Sequence, residues 1–385
     1  MRIVDLCLDE RVDALLLAGD LYDGDQTSMK TARFLAEQLR RLHEAGIRTF
    51  VIRGNHDALS RITKELTLPE SVKVFGGRAE AVAVERPAGE FPVAVHGISF
   101  AQPHAPESLL PRYRPPVADA VNIALMHTSL AGAAGHDPYA PCSVAELQAS
   151  GFRYWALGHV HKRSVVAGDC TVVMPGMPQG RDVNEAGAKS VTLATIADDR
   201  SIRLEERVTS LAQFERVSVD LTGIEDWRDL AGAVSTALAR ARSAAVSEHL
   251  VARLRVTGAT PLAWRIRREL DLLKAEADDR ASVVGKCWIE KVEVACRPPG
   301  VGVGASADPV AELRQLIEAE IMRSGAYRDE AARVADELRG QLPPECRGLL
   351  GADEAGFAAA VEDLAREGTD DVLARLQAVP GGEGD

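Results

Sequence analysis

Four short apolar runs in this sequence each end in side chains able to bind a metal ion. Residues 14–18 lead into Gly19-Asp20, and residues 48–53 into Gly54-Asn55-His56-Asp57. Residues 121–126 lead into His127, and residues 154–157 into Gly158-His159-Val160-His161. One carboxylate, one amide oxygen and several imidazoles make a donor mix suited to borderline divalent ions such as Mn²⁺, Fe²⁺ or Zn²⁺. In open α/β sheets, ligand sites form outside the carboxyl ends of the strands. Four sequence-distant segments are therefore expected to converge on one crevice. Gly19, Gly54 and Gly158 stand before the clusters, where they let the chain turn sharply off a strand.

The elements that must position these residues follow from periodicity. The wholly apolar run 14–18 reads as a strand buried on both faces of a parallel sheet. Phe34, Leu35, Leu39 and Leu42 give residues 31–45 a helical stripe, closed by Gly46. Further strands are expected at 48–53, 92–95, 121–126, 154–157, 171–174 and 190–195. Ile3, Val4, Leu6 and Leu8 give the first residues an amphipathic helix. Alternating helix and strand patterns define an α/β layered domain over residues 1–210. From 211 the pattern resets: strand 214–221, helix 224–246, strand 249–257, helix 261–277 and strand 286–296 make a smaller αβ domain over 211–300. Residues 297–304 read as a linker. Beyond it lies a helical tail, 301–385, with Val310, Leu313, Ile317 and Ile321 on one face, a break at Pro343-Pro344, a helix over 354–378 and a frayed end at 380–385.

In order and spacing, Gly19-Asp20, Gly54-Asn55-His56-Asp57, Met126-His127 and Gly158-His159-Val160-His161 resemble the calcineurin-like metallophosphoesterases. The stretches Ala18 to Asp23, Leu157 to His161 and Pro175-Gly176 through Gln179-Gly180-Arg181 resemble the SbcD-type DNA repair nucleases within them. His96 to Gln102, His127 to Leu130 and Gly135 to Cys142 are similar to the YhaO-like bacterial branch. The resemblance covers residues 1–300 and implies a layered β-sandwich flanked by helices, with a capping and DNA-selection domain. It implies two divalent metal ions, Mn²⁺ foremost, bridged by Asp20. Asn55, His127 and His159 would complete one site and His161 would belong to the other. His56 would face the scissile phosphate, with Asp57 orienting it and raising its pKa. It further implies DNA as substrate, 3′–5′ exonuclease action, an SbcC-like SMC-type ATPase as partner gripped through the tail, and a homodimer as a further assembly.

The family's opening Asp-x-His motif has no match before Asp20: Asp5, Asp9 and Asp13 are not followed two positions on by His. As written, the chain is expected to lack the first strand of its sheet and two ligands of one metal, through a start read too late or a true truncation. The latter keeps alive a catalytically impaired partner of an ATPase. A small-molecule phosphatase or cyclic-nucleotide phosphodiesterase is the other alternative, against which the second domain and the tail argue. Elsewhere blander roles are expected. His43, His96, His104 and His249 read as structural, Asp23 and Asp25 as turn residues, and His136 beside Asp137 as a loop residue. Gln179 and Arg181 follow a strand near the site and either contact phosphate or are ordinary surface residues. Arg265, Arg267 and Arg268 beside Trp264 form either a phosphate-contacting stripe or a solvated helix face.

The chain has 385 residues and a net charge of −12, which at face value argues against a nucleic-acid partner. The distribution removes that objection. Residues 301–385 carry 18 acidic against 8 basic side chains, whereas residues 1–300 are close to neutral. Six cysteines without a CxxC pair indicate reduced thiols in a cytoplasm. No apolar run approaches ~18 residues, so no membrane span is expected. The sequence reads as a cytoplasmic, metal-dependent phosphodiesterase, a DNA exonuclease acting in repair.

Overall fold

The computed structural model describes residues 2–22, 29–58, 67–84, 86, 90–130, 139–299, 309–351 and 353–376. Asp23, Asp25, His136, Asp137, most of the linker and the end of the tail lie outside the described residues. The chain divides into two compact units, one of residues 1–214 with 245–248, the other of 215–244 with 249–385.

In the first unit, helix α1 (Arg2–Asp9) precedes strand β1 (Ala14–Ala18), helix α2 (Met29–Glu44), β2 (Arg48–Ile52) and β3 (Val72–Val74). The three strands form one parallel sheet in the order β1-β2-β3. Val4 and Cys7 of α1 pack with Leu39 and Leu42 of α2, and Leu15 and Val72 close the cluster. Phe34, expected on the apolar face of α2, is instead exposed. The expectation that β1 is buried on both faces also fails. β1 is an edge strand with a neighbour on one side only, so all five of its residues stay half-buried.

The second sheet comprises β4 (Glu80–Val84), β5 (Val93–Gly97), β6 (Val121–His127), β7 (Tyr154–Gly158), β8 (Ser164–Val166) and β9 (Thr171–Met174), in the order β4-β5-β6-β7-β9-β8. β5, β6, β7 and β9 are parallel, and the edges β4 and β8 antiparallel. Phe50, Ile52 and Phe75 of the first sheet region meet Val95 and Leu125 of the second, which makes the layers a sandwich. The outer face of the larger sheet buries Met126, Trp155 and Leu157 against Phe152 and helix α3 (Val144–Ala149). Fully burying each such side chain is worth ~1.5–3 kcal/mol, which makes these layers a rigid frame for the loops at their ends. α3 begins in a complete capping box between Ser143 and Glu146. β10 (Ser190–Ile196) and β11 (Ile202–Val208) form an antiparallel pair.

In the second unit, β12 (Ala212–Asp220, which starts in the first unit), β13 (His249–Thr257) and β14 (Cys287–Val294) form a sheet in that order. Helix α4 (Trp227–Ala244) joins β12 to β13. The single helix expected over 261–277 is two, α5 (Ala263–Arg268) and α6 (Leu270–Val284), because Glu269 at φ −113° and ψ 42° breaks the turn. The tail contains α7 (Pro309–Leu316), a π turn at Ile317–Ile321, α8 (Gly325–Gln341) and α9 (Glu354–Leu376). Leu373 and Ala374 of α9 pack on Trp264 together with Val310, Leu313 and Ile317. Arg267, only 13% exposed, bonds Asp370 at 3.1 Å, and Arg314 reaches the same carboxylate at 3.0 Å. Arg265 and Arg268 pair with Glu269. The three arginines, read as either a phosphate-contacting stripe or a solvated face, instead do separate work, and Arg267 holds the tail helix within its own unit.

Candidate metal centre

Parallel register aligns the carboxyl ends of the strands that carry the motifs: Ala18 stands opposite Ile52, and His127 opposite Gly158. The loops that leave them meet at His127, whose side chain is fully buried at the end of β6. Its Nδ1 lies 2.8 Å from the Ala18 carbonyl oxygen, an atom that can only accept. Nδ1 therefore carries the proton, and the lone pair of the neutral ring sits on Nε2. Nε2 faces Asp20 Oδ2 at 3.1 Å and Asn55 Oδ1 at 3.0 Å. Three acceptors then point at one another with no hydrogen among them, an arrangement that calls for a cation at their centre. His159 joins the group, its ring 5.1 Å from that of His127. Ligand atoms of Asp20, His127 and His159 all lie within 4.8 Å of one another. Carboxylate, amide oxygen and imidazole together fit a borderline divalent ion.

The backbone is distorted to bring this about. Asp20 (φ 55°) and His159 (φ 101°) both occupy the left-handed region, which costs a non-glycine residue ~1–3 kcal/mol and persists where surrounding contacts enforce it. Of the three glycines expected to make sharp turns, only Gly19 (φ 95°) has such a backbone. Gly54 and Gly158 are required for a different reason. A Cβ at Gly54 would lie 2.6 Å from His127 Cε1, and one at Gly158 would collide with the Ala18 carbonyl oxygen that His127 bonds. The glycines make room for the histidine.

Asp20 has its second oxygen engaged as well: the His56 N–H donates to Oδ1 at 3.0 Å. Burial opposes ionisation of Asp20, and the His56 N–H bonded to its Oδ1 favours it. Asp57 is buried, and its carboxylate accepts the Gly54 N–H at 2.6 Å and the Leu21 N–H at 3.0 Å. Burial first, then the negative charge of Asp20, pushes the Asp57 carboxyl up despite these bonds. Asp57 thus ties the loop after β2 to the loop after β1, while the side chain of His56 is exposed.

Asp20, His56, His159, His161 and Arg181 line one cleft of about 1570 Å³ that also runs along β1. The Asp20, His127 and His159 group does not include His161. The His161 Nδ1 lies 2.9 Å from Glu185 on a short 3-10 turn at Val183–Glu185. Sequence reasoning missed Glu185. Its one signal was the four-residue spacing from Arg181, whose guanidinium bonds it at 3.0 Å. Gln179, expected near phosphate, spends its amide on the backbone of Gly180, Leu211 and Ala212. His96 is buried on Asn122 at 2.8 Å.

Residues 1–163 match the calcineurin-like phosphoesterase family, and residues 214–297 match the middle domain of metallophosphoesterase YhaO. Residues 1–163 are a calcineurin-like metallophosphoesterase domain. The chain is 35% identical over 222 residues to the uncharacterized metallophosphoesterase YhaO of Bacillus subtilis, covering 57% of this chain and 54% of that one. It is 28% identical over 223 residues to the SbcD component of the SbcCD nuclease of the same organism, covering 48% and 56%. It is 29% identical over 168 residues to the DNA double-strand break repair protein Mre11 of Sulfurisphaera tokodaii, covering 43% and 42%. The chain spans about half the length of these curated relatives. No helix among the described residues is long and apolar enough to cross a membrane.

Proposed function

We propose that this protein is a manganese-dependent DNA exonuclease, the nuclease subunit of a cytoplasmic complex with an SMC-type ATPase. One observation supports it above all: Asp20 Oδ2 and Asn55 Oδ1 converge on a His127 Nε2 whose own proton is committed to the other ring nitrogen. In this reading Asp20, Asn55, His127 and His159 hold one divalent ion, and Asp20 with His161 contributes to a second. Bound ions neutralise charge that builds on a phosphoryl group and activate water for in-line attack. Asp20 can span both positions because its two oxygens face different partners. His56 presents an exposed imidazole to the cleft, where it holds a proton for the departing oxygen or stabilises charge on the phosphate. Asp57 keeps the His56 loop in place through the Gly54 and Leu21 amides.

DNA as the substrate class is supported by the SbcCD and Mre11 relatives. A reducing compartment fits six free thiols, five of them buried. Docking to a partner fits the exposed Leu338, Leu364, Val372 and Leu376 of an acidic tail.

The test is digestion of an end-labelled DNA duplex by the purified protein with Mn²⁺. Shortening from the 3′ end that EDTA stops, and that His127→Ala loses at least 100-fold, is the expected result. Hydrolysis of a cyclic nucleotide or a phosphomonoester with every DNA substrate left intact overturns the proposal.

A further inference from the structure

We propose that Glu185 is the positioning residue of His161: its carboxylate fixes the ring so that Nε2, and not Nδ1, faces the cleft as a metal ligand. This rests on the reading of His161 as a ligand and extends it to a residue outside all four motifs.

His161 Nδ1 lies 2.9 Å from Glu185 Oε1. Both oxygens of Glu185 already accept from Arg181 donors, the backbone N–H on Oε2 and the guanidinium on Oε1, so the carboxylate meets His161 as an acceptor. Nδ1 is then the protonated nitrogen, and Nε2 keeps the lone pair that a metal requires.

Glu185 is itself well anchored. The backbone N–H of Arg181 donates to Oε2 at 2.7 Å, and the Arg181 guanidinium donates to Oε1 at 3.0 Å. Its own turn is capped by Asp182, whose side chain accepts the Asn184 N–H at 2.7 Å. With its side chain 13% exposed and both oxygens engaged by donors, Glu185 is placed as a brace and not as a ligand. The side chain of His161 is 51% exposed and has little packing of its own to hold it. Its backbone lies close against the same loop, where a Cβ at Gly176 would come within 2.7 Å of the His161 carbonyl oxygen. The loop after β9 therefore touches both the chain and the ring of His161.

The scheme repeats the one at His127 with a different acceptor. There a backbone carbonyl takes the Nδ1 proton. Here a carboxylate does, and carboxylate bracing of a ligating histidine is typically worth about 10- to 100-fold in metal affinity.

Two measurements on the full chain test this. Imidazole ¹⁵N chemical shifts of metal-free protein report the tautomer of His161 directly, assigned by comparison with His161→Ala. The Nδ1–H form is expected in wild type and in Glu185→Gln, whose amide oxygen still accepts, and a mixture in Glu185→Ala. Titration calorimetry with Mn²⁺ is expected to show a 10-fold or greater loss for Glu185→Ala, a smaller loss for Glu185→Gln, and no further loss when Glu185→Ala is added to His161→Ala. An Nε2–H tautomer in wild type, or additive losses in the double variant, overturns the role of Glu185. A correct tautomer with Mn²⁺ affinity unchanged in His161→Ala leaves the brace standing and instead removes His161 as a ligand.

Discussion

On the proposed two-ion reading, the two halves of the site solve the same problem by opposite means. His127 is built into the core. Gly19, Gly54 and Gly158 surround its ring, a backbone carbonyl takes its Nδ1 proton, and no part of the side chain reaches solvent. His161 stands half exposed at the other end of a Gly-His-x-His run and is held by one carboxylate from a loop 24 residues on. Core packing gives the first histidine a position that solvent cannot disturb, at the expense of strained residues on either side. Side-chain bracing gives the second an orientation that a single substitution can release. The buried half should therefore fail as structure, and the exposed half as function alone.

The largest effect should come from Gly158→Ala. Its Cβ would strike the Ala18 carbonyl oxygen, and neither β1 nor β7 can shift without breaking the sandwich. Overpacking of this kind costs ~1–3 kcal/mol and occasionally more, and the upper end is expected here because the Cβ is rigidly attached to the backbone and meets a main-chain carbonyl. Urea unfolding should show that loss together with loss of Mn²⁺ binding. A variant as stable as wild type would mean that the glycines around His127 are not a packing requirement.

Comparison of His127→Ala with His161→Ala sharpens the contrast. Both should bind Mn²⁺ at least 10-fold more weakly. Only His127→Ala should also destabilise the metal-free protein, by ~2–3 kcal/mol, since it leaves a cavity and an unpaired buried carbonyl. His161→Ala should stay within ~0.5 kcal/mol of wild type, as is usual for a surface position. Equal destabilisation of the two, measured by thermal and urea unfolding, would erase the distinction between core and brace.

Much of the buried half was legible in the sequence, because strand-ending motifs carry their own signal. An apolar run, a glycine and a metal-capable side chain recur at 14–20, 48–56 and 154–161. What periodicity could not supply was the contact partner of each group. It assigned all three glycines to turns, whereas only Gly19 has a turn-type backbone and all three yield space to His127. It read β1 as doubly buried because apolar composition alone does not tell a central strand from an edge strand. The strands β3 and β8, three residues each, are too short for a period to register. Glu185 was invisible for the same reason that the exposed half differs. A brace on a 3-10 turn has no repeating pattern, and only the fold brings it to His161. Arg267 shows a further limit: the basic run allowed a phosphate-contacting stripe or a solvated face, whereas its acidic partner Asp370 lies 103 positions away in the tail.

The most local effect should fall on Asp57, which connects the first two loops of the site and belongs to the buried half. Its carboxylate accepts one amide from the β1 loop and one from the β2 loop. Asp57→Asn keeps the size of the side chain but replaces one acceptor oxygen with a donor nitrogen, so one of the two amides loses its partner. A buried donor left unpaired costs ~1–3 kcal/mol, and the lower end is expected because the ionised carboxylate itself already carries a burial penalty in wild type. Amide hydrogen exchange should localise the loss, with Leu21 or Gly54 exchanging faster while strands β6 and β7 keep their protection. Unchanged exchange at both amides would separate Asp57 from loop bracing, and the coherence of the buried half would then rest on the glycines and His127 alone.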